Sequence, residues 1–120
     1  MSFRDLPAVS LKIDGRLTGL RVYEATGFLS RARGLLGGER LREFEALWIR
    51  PCGSVHTIGM RYAIDVLFLD RQQRVLMVKR RLEPLRFSGA GHAHSTLELH
   101  AGTAAAIAVG EGSHVEQVAW

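Results

Sequence analysis

The sequence predicts a mainly β (α+β) fold, a small antiparallel β-sandwich or barrel with two short helices. Short apolar or alternating segments follow one another with tight turns between them. Apolar residues at helical spacing are confined to about 27–36 and 103–108. At 120 residues with 47% hydrophobic content, the chain can form one core without disulfides. We therefore expect a single domain over 1–120, with residues 1–8 as a flexible end.

The first half of the chain predicts a hairpin followed by a helix. Asp14 and Gly15 separate two alternating segments, and both residues tolerate the positive φ angles of a tight hairpin turn. In "TGFLSRARGLLGG" the apolar residues then recur at helical spacing. Thr26 is suited to cap this helix, and the Gly37-Gly38 pair is suited to end it.

The segment "AIDVLFLD" predicts a central strand, because both of its faces are apolar. Ile64, Val66 and Phe68 lie on one face, whereas Asp65 shares the other with leucines. The strand predicted near 74–80 follows a short turn, so the strand near 64–69 and this one should be adjacent and antiparallel. The second half of the later strand is charged, which is typical of a sheet edge.

Composition limits the classes of function. The chain carries 16 Lys and Arg residues against 12 Asp and Glu, and the single cysteine excludes an internal disulfide. There is no signal-peptide core or membrane-length apolar segment, so we expect a soluble, cytoplasmic protein without membrane contact. Aromatic residues do not interleave with the basic cluster at 79–81, so nucleic acid is not the expected partner.

Cys52 and His56 form the first candidate constellation, in "PCGSVH". A turn that brings them together would create an activated thiol nucleophile or half of a zinc site. The simpler interpretation is a small buried thiol and a histidine bonded to the backbone.

Asp65 is the second candidate, since an unpaired carboxylate on an apolar strand face would be costly. It could accept backbone N–H bonds or pair with an arginine such as Arg61. Alternatively it could line a pocket as a base or ligand with a raised pKa. We favour a structural role for Asp65 and a functional one for His56.

The third candidate is "GHAHSTLELH". If residues 92–100 are extended, His92, His94, Thr96, Glu98 and His100 share one face, in a pattern that resembles the first metal motif of cupins. The pattern lacks the cupin glycines and a second motif, so the simpler interpretation is a polar, solvent-facing stripe. We expect no bound metal and no cofactor.

Several of these segments resemble the DUF192 family, also labelled UPF0127. The matching segments are "RARGLLG", "VHTIGMRYAIDVLFLD", "EPL" and "LELHAGTAAAIAVGEG". The resemblance implies a β-rich fold and a set of positions, but no established activity. The family's pattern falls on Arg33, Gly34, Leu35, Met60, Asp65, Phe68, Asp70, Pro84, Glu98, Gly102 and Gly110.

We expect an accessory or binding protein for a small molecule or a peptide, with no fixed oligomeric state implied. The ligand-binding candidates are Cys52, His56, Met60, Asp65 and Glu98. The alternative is a hydrolase or metal-dependent enzyme that uses Asp65, Glu98 or His56. A third hypothesis is a phosphate or RNA binder that uses Lys79, Arg80, Arg81 and Arg86.

Overall fold

Strands account for most of the regular structure in the computed structural model, which describes residues 2–26, 39–56, 62–84 and 86–120. A 3-10 helix spans Phe3–Asp5 and a short helix, α1, spans Thr103–Ala106. The strands are β1 (Ala8–Ile13), β2 (Arg16–Ala25), β3 (Glu45–Ile49), β4 (Ser54–His56), β5 (Ile64–Leu69), β6 (Val75–Leu82), β7 (Phe87–Gly89), β8 (Ser95–His100) and β9 (Val115–Ala119).

Seven strands form one sheet in the order β6-β5-β8-β3-β2-β1-β9, and β4 pairs with β7 in a small second sheet. The mainly β fold class is confirmed. The predicted hairpin is present, with φ of 50° at Asp14 and 82° at Gly15. The predicted antiparallel pair is also present as β5 and β6, and β6 lies at the edge of the sheet.

One strand pair departs from the expected antiparallel arrangement. β2 and β3 are parallel, with Val22 opposite Ala46 and Ala25 opposite Ile49. A parallel pair needs a crossover of a dozen or more residues. Residues 26–44 separate these two strands and are long enough for one. Local turn signals could not reveal this pairing, because it depends on where a long connection returns.

The sheet curls so far that its two edge strands, β6 and β9, lie next to each other at their first residues. The Val75 amide donates to Ser113 at 2.9 Å, and the Val115 amide donates to the carbonyl of Gln73 at 2.9 Å. Arg74 and His114 form a bridge between these donors. The result is a half-barrel whose concave side holds one core, composed of Leu11, Ile13, Leu20, Val22, Ala46, Trp48, Leu67, Leu69, Val75, Leu97, Leu99, Ala104, Ile107, Val109 and Val115.

The outer face of the sheet carries a second core, partly covered by the N-terminal segment. Phe3 packs edge-on against Tyr23, with ring centroids 5.3 Å apart. Arg4 forms ion pairs with Glu45 at 2.7 Å and Glu39 at 3.1 Å. The buried members of this outer core are Phe3, Tyr23, Ala25, Leu41, Leu47, Ile49, Val55, Ile64, Val66, Phe68 and Leu82.

Of the two predicted helices, the one near 103–108 is present but shorter. It ends at Ala106, and two residues later Ala108 adopts a positive φ of 55° that no α-helix contains. The helix predicted near 27–36 lies outside the described residues. No helix in the described ranges is long and apolar enough to cross a membrane.

We expect Phe68→Ala to be among the most destabilising single changes. Phe68 has no exposed surface and lies on β5, between β6 and β8. The cavity should lower the free energy of unfolding by about 3–5 kcal/mol, measured by urea denaturation. Phe87→Ala is the control, since Phe87 is 71% exposed and should cost less than about 1 kcal/mol. Equal losses for both variants would contradict the assigned strand faces.

Candidate functional site

The Asp65 carboxylate faces the concave side and accepts three backbone N–H bonds. Oδ2 accepts from Gly102 at 3.0 Å and Ala104 at 2.9 Å, and Oδ1 accepts from Arg81 at 3.0 Å. The residue is completely buried. Backbone donors can satisfy a buried carboxylate without a counter-ion. These bonds correspond to the structural role favoured for Asp65.

A β-bulge supplies one of those donors. Ile64 pairs with Leu82, but Val66 pairs with Lys79, so β6 carries one extra residue opposite Asp65. Arg81 in this bulge has a φ of 50°, and a bulge leaves an N–H free of the strand ladder. The carboxylate therefore fastens the bulge of β6 to the turn that begins α1.

Glu98 lies on the opposite, outer face. It stands between Leu47 on β3 and Val66 on β5, and both of these neighbours belong to the outer core. Glu98 is only 7% exposed, and its Oε2 has no hydrogen-bond partner among the described residues. Burial raises the pKa of this carboxyl to about 7. The fold therefore favours the protonated, neutral form of Glu98 below about pH 7.

The prediction of a polar, solvent-facing stripe over residues 92–100 is wrong for the central residues of this segment. Thr96 and Glu98 are both buried, because β8 lies in the middle of the sheet and its outer face is covered. His92 has a φ of 67° and His94 precedes the strand, so neither continues the alternation. The extended run required for a cupin-like motif is therefore absent from 92–94.

Tyr62 lies close enough to Glu98 to respond to its charge. Burial, together with the negative charge of Glu98, raises the pKa of Tyr62 to about 12. The Tyr62 hydroxyl donates to the Glu39 carbonyl at 2.5 Å, and the Arg40 guanidinium lies 5.1 Å from the ring centroid. The hydrogen bond therefore fixes the phenol where its ring packs against the outer core.

Cys52 lies on the same outer face as Glu98. Its carbonyl accepts the Thr96 hydroxyl at 2.9 Å, and its half-buried thiol donates to the Ser54 carbonyl at 3.0 Å. Thr96 and Glu98 are two residues apart on one strand face, a spacing of about 7 Å. The structure thus places the Cys52 backbone beside Thr96, two residues from Glu98 on the same strand.

The five predicted ligand-binding residues do not all face one groove. Asp65 is on the concave side, whereas Cys52 and Glu98 are on the outer side. Met60 and the side chain of His56 lie outside the described residues. No group of three or more His, Cys, Asp or Glu residues in the described part of the chain is placed to hold a metal ion.

Two adjoining cavities at the α1 end of the half-barrel were not predicted. They have volumes of about 480 Å³ and about 510 Å³ and share Glu43 and His100. Their walls come from β2, the segment before β3, the end of β8 and α1. No local sequence pattern could identify them, since residues far apart in the chain form each wall.

We expect Asp65→Asn to lower the free energy of unfolding by about 1.5–3 kcal/mol. The side-chain amide of asparagine would direct its own N–H donors towards backbone N–H groups, which are also donors and cannot pair with them. Asp70→Asn is the control: a single oxygen of Asp70 accepts from both Gln72 and Arg74, which an asparagine oxygen can still do. Urea denaturation measures both. Unchanged or increased stability of Asp65→Asn would contradict the structural role.

Glu98 should make stability fall as pH rises. Its folded-state pKa is raised from the ordinary 4.5 to about 7, so between these values the folded state binds more protons than the unfolded state. The loss is on the order of 3 kcal/mol, since one pKa unit is worth about 1.36 kcal/mol. It begins near pH 4.5 and is complete above pH 7.

Glu98→Gln should remove this loss, so its stability relative to the original protein should increase across that pH interval. Urea denaturation at several pH values measures the difference. The control is Glu116→Gln at an exposed position on β9. Its difference in stability from the original protein should not change with pH. A flat difference for Glu98→Gln as well would contradict the raised pKa.

Comparisons with known proteins agree with this architecture. A family model, DUF192, described as an uncharacterized ACR, matches residues 9–117. No curated protein matches the chain.

Two crystal structures share the fold. One is a "putative transcription regulator" from Sinorhizobium meliloti 1021, with a TM-score of 0.82, 17% identity and coverage of 93% of this chain and 95% of that one. The other is a protein of unknown function from Novosphingobium aromaticivorans DSM 12444, with a TM-score of 0.79, 22% identity and coverage of 92% and 86%. At these identities the likeness concerns the fold alone. Because the family model spans most of the sequence, the chain belongs to the DUF192 family.

Proposed function

We propose that this protein is a non-enzymatic binding or accessory domain, which takes a small molecule or a peptide on its outer face at Glu98. The observation that carries the proposal is the buried Glu98 carboxyl, whose Oε2 has no hydrogen-bond partner among the described residues. Leaving such a group unpaired costs about 1–3 kcal/mol. A ligand that completes its hydrogen bonds would recover that cost.

The protonation state of Glu98 defines the chemistry of such a ligand. A neutral carboxyl offers one O–H donor and one carbonyl acceptor. The matching partner is a primary amide, whose C=O acceptor and neighbouring N–H donor lie on the same side in one plane. Leu47 and Val66 beside Glu98 are completely buried, so the ligand's carbon atoms would contact the partly buried Tyr62 ring of the outer core.

An enzymatic role is the second candidate, and the raised pKa of Glu98 favours it. A carboxyl with a pKa of about 7 can give and take a proton near neutral pH, as a general acid or base must. The Cys52 thiol on the same face would be the candidate nucleophile of a hydrolase.

Titration with N-acetyl amino-acid amides and short capped peptides tests the proposal, with two-dimensional NMR as the readout. We expect shifts centred on residues 47, 66 and 98, and binding at least about tenfold weaker in Glu98→Leu. Glu98→Leu should also raise the unliganded Tm, because it removes the unpaired carboxyl. The exposed Glu116→Leu is the matched control and should bind normally.

Mass spectrometry of the same mixtures separates the two candidates. The binding function predicts intact probes after prolonged incubation. Hydrolysis by the original protein that Glu98→Gln abolishes would establish the enzymatic role instead. Equal binding by Glu98→Leu and the original protein would reject the outer face as the site.

A further inference from the structure

The two adjoining cavities at the α1 end form one continuous depression with chemically different halves. They share Glu43 and His100, so a ligand in one cavity can extend into the other. Their volumes of about 480 Å³ and about 510 Å³ lie within the range of ligand sites. We call this depression the end groove.

One half of the end groove is apolar. Leu20 from β2 and Ile107 just after α1 line it, together with Phe44 from the segment before β3. Phe44 is 69% exposed, although burial of a phenylalanine side chain is favourable. A ligand with an apolar body would cover Phe44 and extend the concave core outwards.

The other half of the end groove is basic. Arg4 lines it, but Glu45 and Glu39 already compensate its charge. The guanidinium groups of Arg40 and Arg42 form no ion pair with any carboxylate in the described ranges.

Glu43 on the shared rim supplies one negative charge against the two positive charges of Arg40 and Arg42. Glu39 and Glu45 together exceed the charge of Arg4 by one, so the net charge does not by itself select an anion. The preference for an anionic group comes from Arg40 and Arg42, because no carboxylate in the described ranges uses their guanidinium N–H donors. Such donors can bind an anionic group in pairs.

The walls of the end groove are held in place by hydrogen bonds. The Arg42 amide donates to Glu45 at 2.9 Å, and the Thr103 hydroxyl donates to the Glu43 carbonyl at 3.4 Å. His100 donates from Nδ1 to the Ala101 carbonyl at 3.0 Å, which fixes its ring. Such preorganisation lowers the entropy that a ligand would lose on binding.

We infer that the end groove binds a monocarboxylate with a linear apolar chain. The chain lies against Leu20, Phe44 and Ile107, and the carboxylate lies beside Arg40 and Arg42. This site differs from the proposed site at Glu98, because Glu98 lines neither of the two cavities. It therefore does not depend on the proposed function.

The test uses three probes with the same chain: octanoate, octan-1-ol and octylammonium. Two-dimensional NMR titration of the full chain should show octanoate shifting the amides of residues 20, 44, 102 and 107, with a Kd below about 1 mM. The other two probes should bind at least about tenfold more weakly. Added salt should weaken octanoate binding, because it screens the exposed arginines.

Two pairs of variants separate charge from shape. Arg42→Gln should weaken octanoate binding about tenfold and leave octan-1-ol binding unchanged. Arg71→Gln is the matched control, since Arg71 is an exposed arginine in the turn at the other end of the sheet and should have no effect. Ala106→Phe should fill the apolar half and weaken all three probes, whereas Glu98→Gln should weaken none of them.

The inference is overturned if octanoate does not bind, if octan-1-ol or octylammonium binds as tightly, or if Arg42→Gln leaves the octanoate Kd unchanged. Octanoate shifts centred on residues 47, 66 and 98 would also overturn it, since they would assign the carboxylate to the outer face. A melting curve for each variant confirms that it is folded before its Kd is compared.

Discussion

A single buried carboxylate holds the half-barrel and its end together. Asp65 on β5 accepts bonds from the bulge of β6 and from the turn that begins α1. α1 has only four residues and could not persist without tertiary contacts, since helix nucleation is unfavourable. Once Asp65 fixes its first turn, Ala104 and Ile107 can enter the concave core. The same hydrogen bonds hold Ile107 in place as a wall of the end groove.

The contrast between Asp65 and Glu98 follows from the pleat of two neighbouring strands. Asp65 lies opposite Leu99 and Glu98 opposite Val66, so the two carboxyls point to opposite faces. On the concave side a bulge and a turn supply N–H donors to Asp65. On the outer side the residues opposite Glu98 on both adjacent strands, Leu47 and Val66, are apolar, and burial raises its pKa. One carboxyl therefore supports the fold, whereas the other is left with unused hydrogen-bonding capacity.

The proposed sites use different properties of the sheet. Glu98 is a buried polar group on the outer face, where a ligand would satisfy its unmet hydrogen bond. The end groove is an open depression where apolar and basic walls meet, so it selects a ligand by charge and shape. If both sites bind ligands, they need not take the same chemical class.

The sequence by itself determined the local structure of this protein. Asp14-Gly15 specifies its hairpin because both residues accept positive φ, and the two-sided apolar pattern of 64–69 specifies a central strand because side chains alternate across a sheet. The motifs of residues 55–70 and 97–112 likewise indicate the DUF192 family, and they contain Asp65 and Glu98 as candidate site residues. Only the tertiary structure decided that β2 and β3 are parallel, that the edge strands meet, and that Asp65 and Glu98 face apart. These outcomes, and the end groove, depend on contacts between residues distant in the chain, and local periodicity contains no information about such contacts.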